Sequence, residues 1–257
     1  FFTTCEPGND DWSLEASEID LDYNEQTGTA HGARLRFLGV PIAATPYASF
    51  PLESRRKSGV LAPWFAQSSQ RGTELGLPLY WNIAPEQDLT VTPVYMSERG
   101  NQLKGHYRYL DERYFGELRG EYMPEDKKLG VSRSGYSWQH EHRFTPTLLG
   151  RLDLNSVSDD TYFVDLYSQV RQVSTGNLQR DAYLQYKGNR GATSYYLQGR
   201  VQRFQTLQDP VNPIVEPYHR VPQLNFSVAR NEIGGLLDAA IPAEYVQFTH
   251  PDLVAGE

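Results

Sequence analysis

The chain has 257 residues, of which 39% are hydrophobic and 12% aromatic, and its formal net charge is −8. This charge argues against a nucleic-acid partner, which would attract a clearly basic face. A helical membrane protein is excluded because no apolar stretch approaches the ~20 residues of a spanning helix. The aromatic content and regular alternation are not those of a disordered chain. The chain begins at Phe1 without an initiator Met, so we expect a segment of a longer polypeptide.

The first fifty residues predict a fragment of a small β-sandwich. Two alternating runs, 12–23 and 29–37, are joined by a loop that contains Gly28, which is the pattern of a hairpin. Residues 38–53 are punctuated by prolines and are predicted to be a linker. We therefore expect the domain boundary near residue 50, between residues 1–50 and residues 51–257.

Period-two alternation dominates from about residue 72 onward. In one example Leu148, Gly150, Leu152 and Leu154 alternate with Arg151, Asp153 and Asn155. The alternation predicts about ten strands of roughly 10–13 residues: 58–67, 72–83, 87–98, 101–111, 114–123, 132–144, 147–157, 178–188, 191–204 and 221–230. Strands in soluble sheets usually have about 5–6 residues. Long strands with Tyr and Gly on the apolar face and charges on the other are typical of a membrane β-barrel.

A soluble β-sandwich or up-and-down barrel is the alternative, because its strands alternate as well. Its apolar face packs a core and tends toward large aliphatic side chains. Here Gly and Tyr share that face with Leu, so the pattern favours the membrane barrel.

Motifs for catalysis or cofactor binding are missing from the sequence: it has no phosphate loop, dinucleotide fingerprint or nucleophile elbow. His140 and His142 share a strand face, but no third metal ligand is indicated, so barrel-wall histidines explain them better. We therefore expect no catalytic residues, no metal and no cofactor. Asp159-Asp160 with Asp165 could suggest a calcium site, but a solvated loop explains these residues as well. Glu117 and Glu121 share a face with Arg119, so a charge-balanced lumen is a simpler explanation than a glycosidase dyad.

The one basic run of the sequence, Arg55-Arg56-Lys57, immediately precedes the first predicted barrel strand. Such a run is usually a solvated face. If the substrate carries phosphates, the same cluster is a candidate contact for them.

Two prolines fall inside predicted strands, although proline cannot donate a ladder hydrogen bond. Pro63 lies in a run that is apolar on both faces and includes Leu61, and Pro78 interrupts the apolar face that includes Leu77. Tolerated bulges would explain both prolines. The alternative is a seam that is meant to open, formed by Leu61, Pro63, Leu77 and Pro78.

Several ordered motifs resemble the LPS-assembly protein LptD family, the organic-solvent-tolerance family of Gram-negative outer membranes. They are Phe2-Thr3-Thr4-Cys5 with Trp12, Gly39-Val40-Pro41-Ile42, Pro46-Tyr47, Arg55-Arg56-Lys57-Ser58-Gly59, and the run from Leu77 to Pro85. The match covers roughly residues 1–100 and stays plausible in strand rhythm to the end.

The resemblance implies that residues 1–50 are the end of a periplasmic β-jelly-roll and residues 51–257 the first strands of a very large outer-membrane β-barrel, of about 26 strands in this family. Lipid A would pass from the jelly-roll through a lateral opening beside the first strand, and the sugar through the lumen. Pro63 and Pro78 match prolines thought to weaken that opening. Cys5 matches a cysteine that forms a disulfide with a region outside this segment.

The partners implied by the resemblance are lipopolysaccharide, outer-membrane lipid, a plug lipoprotein (LptE) and a periplasmic bridge protein (LptA). Two other hypotheses stay open on the residues: an outer-membrane enzyme that acts on lipids, and a soluble carbohydrate-binding β-sandwich. The enzyme would need a Ser/His/acid constellation that the sequence does not indicate.

Overall fold

The computed structural model describes residues 12–24, 26–37, 39–52, 56–170, 176–209 and 211–250. These residues form two antiparallel sheets and one four-residue helix, α1 (Tyr162–Asp165). The predicted all-β fold is confirmed. Within the described residues no helix is both long and apolar enough to cross a membrane.

The smaller sheet has four strands: β1 (Trp12–Glu15), β2 (Glu18–Asp22), β3 (Thr27–Phe37) and β4 (Val40–Pro51). β3 pairs with all three of the others, each time antiparallel. The turn of the predicted hairpin lies between β2 and β3, but Thr27 and Gly28, which were predicted in the loop, belong to β3.

The prediction that residues 38–53 form a linker was wrong, because most of them form β4. Pro41 and Pro51 lie at or next to the ends of this strand. Among the described residues β4 pairs only with β3, so it is an edge strand. Proline is tolerated at strand ends and at sheet edges because few of the missing N–H groups are needed there.

The larger sheet has thirteen strands that follow one another in space largely as they do along the chain. They are β5 (Gly59–Val60), β6 (Trp64–Ser68), β7 (Gly72–Gly76), β8 (Leu79–Ala84), β9 (Gln87–Met96), β10 (Gly100–Leu110), β11 (Tyr114–Asp126), β12 (Val131–Thr145), β13 (Leu148–Val157), β14 (Asn177–Arg190), β15 (Thr193–Thr206), β16 (His219–Ile233) and β17 (Leu237–Thr249). Since β5–β6 and β7–β8 are each one interrupted strand, the thirteen strands make eleven passes across the sheet.

The last strand, β17, was not among the ten predicted strands. Its sequence contains three alanines and Pro242, so its alternation is weak. β17 is fixed instead by its antiparallel pairing with β16, which extends from His219 opposite Thr249 to Ile233 opposite Leu237. The ladder to the neighbouring strand decides the conformation where the side-chain pattern does not.

The two faces of the larger sheet differ sharply. The polar face carries buried side chains such as Lys104, Glu121, Ser137, Asp153 and Asp181, which share a face through the register of β10 to β14. The apolar face carries largely exposed side chains: Leu103, Leu118, Trp138, Leu184, Leu197 and Leu224. This arrangement is the reverse of a soluble sheet, in which the apolar face is the covered one.

The main hydrophobic cluster lies where the segment 158–170, which follows β13, packs over one end of the polar face. Its buried members are Val94, Met96, Met123, Val157, Tyr162, Leu166, Val170, Leu178 and Leu207. The long connections 158–176 and 207–218 lie at this end of the sheet, and two- and three-residue turns join the strands at the other. Residues 56–58, the linker that precedes β5, lie at the short-turn end, where Arg56 Nη1 donates to the carbonyl oxygen of Pro85 at 3.4 Å.

Aromatic side chains cover several glycines of the apolar face. A Cβ atom at Gly116 would collide with the Tyr109 hydroxyl and with the backbone carbonyl oxygen of Gln139. Gly120 lies four residues further along the same strand and face, and a Cβ atom there would meet nothing within 4 Å. Gly116 is therefore required by close packing, whereas Gly120 is not.

We expect Gly116→Ala to destabilise the folded protein by about 1–3 kcal/mol, as overpacking does, and Gly120→Ala to have little effect. Both changes remove the same backbone freedom from the unfolded chain. The difference in stability between the two variants therefore measures the effect of the collision at residue 116. Heat-modifiable mobility of the full-length protein on SDS gels measures it. Equal behaviour of the two variants would show that the aromatic cover does not constrain Gly116.

Candidate functional site

The first two passes of the larger sheet are both interrupted at a proline. Pro63 lies between β5 and β6, and Pro78 lies between β7 and β8. Leu61 N–H donates to the carbonyl oxygen of Pro78 at 2.9 Å. Pro78 has no N–H with which to return this bond, so the ladder between the two passes is weakened at this point.

A β-bulge accompanies the interruption. Val60 is opposite Leu79, whereas Trp64 is opposite Gly76. Three residues of the first pass, 61–63, therefore face two residues of the second, 77–78. An extra residue on one strand leaves a backbone group unpaired and increases the local twist. The sequence analysis left tolerated bulges and a weakened seam as alternatives, and at this position a bulge and a lost ladder bond coincide.

Pro93 extends the weakened line to a third strand, and the sequence analysis missed it. Leu77 N–H donates to the carbonyl oxygen of Pro93 at 3.1 Å, and Pro93 cannot return the bond. β7 and β8 stay in register with β9 across this point. The available signal was that Pro93, like Pro63 and Pro78, falls inside a predicted strand, here 87–98.

The predicted seam residues lie on both faces of the sheet. Leu61 and Pro78 line a cavity of about 280 Å³ on the polar face, together with Trp64 and Lys104. Leu77 lies on the opposite, apolar face, because side chains alternate along the strand. At the interruption, a polar surface and an apolar surface therefore lie on opposite sides of the same strand.

The end of the basic run is fixed against the sheet wall. Arg56 Nη1 lies 3.3 Å from Asp88 Oδ2, and Asn82 Nδ2 donates to the backbone oxygen of Arg56 at 3.2 Å. Lys57 Nζ donates to Thr27 Oγ1 of the smaller sheet at 3.3 Å. Arg55 and Cys5, the other predicted residues of this part of the chain, lie outside the described residues.

A buried ion-pair network fastens segment 158–170 to the polar face. The fully buried guanidinium of Arg133 lies 2.6 Å from Asp159 and 3.0 Å from both Asp126 and Asp165. Arg99 pairs with Asp126 at 2.7 Å and with Asp165 at 2.6 Å. A buried charge is tolerated only when it is paired and hydrogen-bonded, and this network meets both conditions.

The electrostatics keep this segment in place at neutral pH. Burial alone would raise the pKa of Asp159, but hydrogen bonds from Arg133 and Ser158 outweigh it, so this pKa lies below its ordinary value. The contribution of Asp159 to stability is therefore present at neutral pH and is lost only as the pH falls through that lowered pKa. Burial and the nearby charge of Glu121 raise the pKa of the Tyr162 hydroxyl, which stays protonated and donates to Glu121 at 3.0 Å.

The segment also reaches the cavity beside the seam. Tyr167 and Gln169 line it. Lys104 Nζ donates to the backbone oxygen of Tyr167, and the backbone N–H of Gln169 donates to Glu121 Oε1 at 2.6 Å. The segment therefore covers the polar-face side of the interrupted strands.

The other candidate sites of the sequence analysis have ordinary contacts. His140 and Tyr109 share a 2.7 Å hydrogen bond on the apolar face, and His142 stacks on Phe144. Asp159 and Asp165 pair with the guanidinium of Arg133. In the described part of the chain no group of three or more His, Cys, Asp or Glu side chains is arranged to hold a metal ion.

These features define a class of protein: an all-β chain whose long antiparallel sheet has an exposed apolar face and a charged face that is partly covered by its own connecting segment. The family described as LPS transport system D, LptD, matches residues 131–255. The LPS-assembly protein LptD of Azoarcus sp. (strain BH72) is 44% identical over 98% of this chain and 30% of its own length. Those of Chromobacterium violaceum and Cupriavidus necator are 42% and 43% identical, over 99% and 97% of this chain and 32% and 30% of their own lengths.

The chain therefore belongs to the LptD family, as a segment of a longer member, and the resemblance drawn from its motifs is confirmed. It spans about 30% of the length of these relatives.

We expect Arg133→Gln to release segment 158–170 from the polar face, because the carboxylates of Asp126, Asp159 and Asp165 would lose their shared cation. Loss of one partner of a buried ion pair costs about 3–5 kcal/mol. Limited proteolysis of the full-length protein should then cut this segment much faster. Arg143→Gln is the matched control, since Arg143 is 74% exposed and lies 3.9 Å from Glu141. Cleavage at the same rate in both variants would contradict the assignment.

Proposed function

We propose that this chain is part of an outer-membrane translocon that inserts lipopolysaccharide into the outer leaflet. Lipid A would leave through the seam beside the first strand while the sugar moves along the polar face. The observation that carries the proposal is the interruption of two adjacent strands at Pro63 and Pro78, where an apolar and a polar surface lie back to back. The names of the relatives, which describe assembly of lipopolysaccharide, support it.

The larger sheet suits the first strands of a barrel wall. β9 to β17 have 10 to 15 residues each, and a tilted membrane strand needs about 9–11. The exposed apolar face would meet lipid, and the charged face would line the lumen. The short-turn end, where the linker from the smaller sheet arrives, would be periplasmic, as short turns are in outer-membrane barrels.

The smaller sheet would be the end of a periplasmic jelly-roll that delivers the lipid. Each methylene of an acyl chain that moves from water into an apolar groove gains about 0.8 kcal/mol. An apolar path that continues from the jelly-roll to the seam therefore keeps lipid A out of water throughout. Burial gives no net drive from one membrane to the other, so the energy must come from elsewhere.

The partners follow from the family resemblance. A plug lipoprotein (LptE) would occupy the lumen, a periplasmic bridge protein (LptA) would deliver lipopolysaccharide, and Cys5 would form a disulfide with a region outside this segment. Arg55, Arg56 and Lys57 would meet lipid phosphates at the junction between the sheets.

The alternative of a soluble carbohydrate-binding β-sandwich is disfavoured by the exposed apolar face. Leu184 on β14 and Leu197 on β15 are each at least half exposed, and their strands are neighbours. A contiguous surface of this kind marks a lipid or protein contact. The alternative of a lipid-modifying enzyme has no comparable support, since His140 bonds to Tyr109.

We expect Pro63→Ala combined with Pro78→Ala to impair lipopolysaccharide export without unfolding the protein, because each alanine restores a backbone donor at the seam. Adding Pro93→Ala should deepen the defect. Surface lipopolysaccharide and antibiotic sensitivity of cells measure export, and heat-modifiable mobility tests folding. Pro242→Ala is the matched control, since Pro242 lies in β17, nine strands from β7 in the sheet order. Normal export in the triple variant would remove the seam from the proposal.

Photo-crosslinking in cells tests the route. We expect a crosslinker in place of Leu61 at the seam, or of Phe37 in the smaller sheet, to form lipopolysaccharide adducts well above those at Leu152 on the apolar face. The experiment uses the full-length protein, with blotting for adducts. Equal labelling at all three positions, or none, would show an ordinary wall without a directed lipid path.

A further inference from the structure

A second cavity, the junction cavity, lies at the short-turn end of the polar face. It has a volume of about 560 Å³ and lies between the linker and β8 to β10. Its lining includes the cationic side chains Arg56, Lys57 and Arg108, with His106, Tyr80 and Thr90. Arg108 and His106 come from β10, about fifty residues beyond the basic run, and were not predicted as site residues.

Asp88 is the carboxylate that holds two of these cations together. Arg108 donates to both of its oxygens, from Nε at 2.8 Å and from Nη2 at 2.7 Å. Arg56 Nη1 lies 3.3 Å from Asp88 Oδ2, and Tyr80 donates to the same oxygen at 3.3 Å. Asp88 is 2% exposed, whereas the side chains of Arg56 and Arg108 are about half exposed toward the cavity.

The charges of the junction cavity are unbalanced. Arg56, Lys57 and Arg108 are three permanent cations, and Asp88 is the carboxylate that pairs with both Arg56 and Arg108. Glu117 lies opposite Arg108 on β11, but its carboxylate pairs with His106 at 2.9 Å and with Arg119 at 3.0 Å. An arginine has five N–H donors in a planar fork, and only two of those on Arg108 are directed at Asp88. Arg108 therefore has N–H groups that do not bond to Asp88, and the cavity has positive charge that Asp88 does not neutralise. Both are available to bind an anion.

We propose that the junction cavity is a phosphate-binding site in which Asp88 is an internal counter-ion that the phosphate of an incoming amphiphile replaces. The proposal rests on the proposed function and assigns the phosphate contact to Arg56, Lys57 and Arg108. A phosphate monoester carries about −1.5 to −2 charges and three acceptor oxygens at pH 7. It matches two guanidinium forks and an ammonium better than one carboxylate does.

The position of the junction cavity explains why a phosphate is useful there. Its lining shares Leu61, Thr90 and His106 with the cavity beside the seam. A phosphate held by Arg56 and Arg108 would therefore lie next to the seam, through which an acyl chain would leave. The site orients the amphiphile, with its charged end on the polar face and its apolar end toward Leu61.

The test is photo-crosslinking at Thr90 in purified full-length protein, with intact or phosphatase-treated lipopolysaccharide as the probe. Intact lipopolysaccharide should give the higher adduct yield. Arg108→Gln and Arg56→Gln should each lower the apparent affinity about tenfold, the loss of one charge-assisted contact. Asp88→Asn should raise it by a similar factor, because it removes the competing anion. Arg151→Gln, on β13 and outside the cavity, is the control.

Two results would overturn the site: equal adduct yields with intact and phosphatase-treated lipopolysaccharide, or a loss of affinity in Asp88→Asn that matches the loss in Arg108→Gln. The second result would mean that Asp88 only holds the neighbouring side chains Arg56 and Arg108 in place. Heat-modifiable mobility confirms folding of each variant, and Arg56→Gln keeps the test valid if a wall variant does not fold. Lipopolysaccharide adducts that persist at Leu61 in cells would leave the proposed function standing, whereas their absence would remove it.

Discussion

The alternation of backbone donors along a β-strand is the constraint on which this structure depends. Each N–H group of a central strand points to one neighbour or the other, and every long strand from β9 to β16 has a paired strand on each side. Proline removes a donor in one direction only. Because Pro78 and Pro93 lie on adjacent passes and each accepts a bond that it cannot return, two lost ladder bonds lie side by side near the first edge of the sheet. Elsewhere the pairing shifts at single bulges, between β11 and β12, β12 and β13, β15 and β16, and β16 and β17, and it continues beyond each of them.

The two faces of the sheet require different surroundings. The polar face is covered at one end by segment 158–170, and the guanidinium of Arg133 fixes that cover through three carboxylates. The apolar face has no such cover among the described residues, and its leucines are exposed. A sheet with buried charges and exposed leucines is stable only where the apolar side meets something other than water. This is the physical basis of the proposal that the larger sheet lies in a membrane.

Function in this proposal comes from the meeting of both kinds of surface at one place. The interrupted strands put Leu61 and Pro78 at the wall of a cavity on the charged face, while Leu77 faces the apolar side. The junction cavity continues this surface toward the linker and adds Arg56 and Arg108. An amphiphile with a phosphorylated head and apolar tails would match this arrangement, with the cationic cavity at one end and the apolar face at the other. No group in the described residues is required to react chemically.

The sequence by itself determined the all-β fold, the positions of ten strands, the two prolines at which the first two passes are interrupted, and the family, because side-chain alternation and local motifs are properties of neighbouring residues. Tertiary structure decided the rest. Residues 40–51 and β17 became strands through their partners, against a weak or proline-rich pattern. Arg99 and Asp165 meet across 66 residues, and Asp88 joins Arg56 to Arg108. Such contacts depend on strand register and on how a long connection folds back, and no local pattern encodes either.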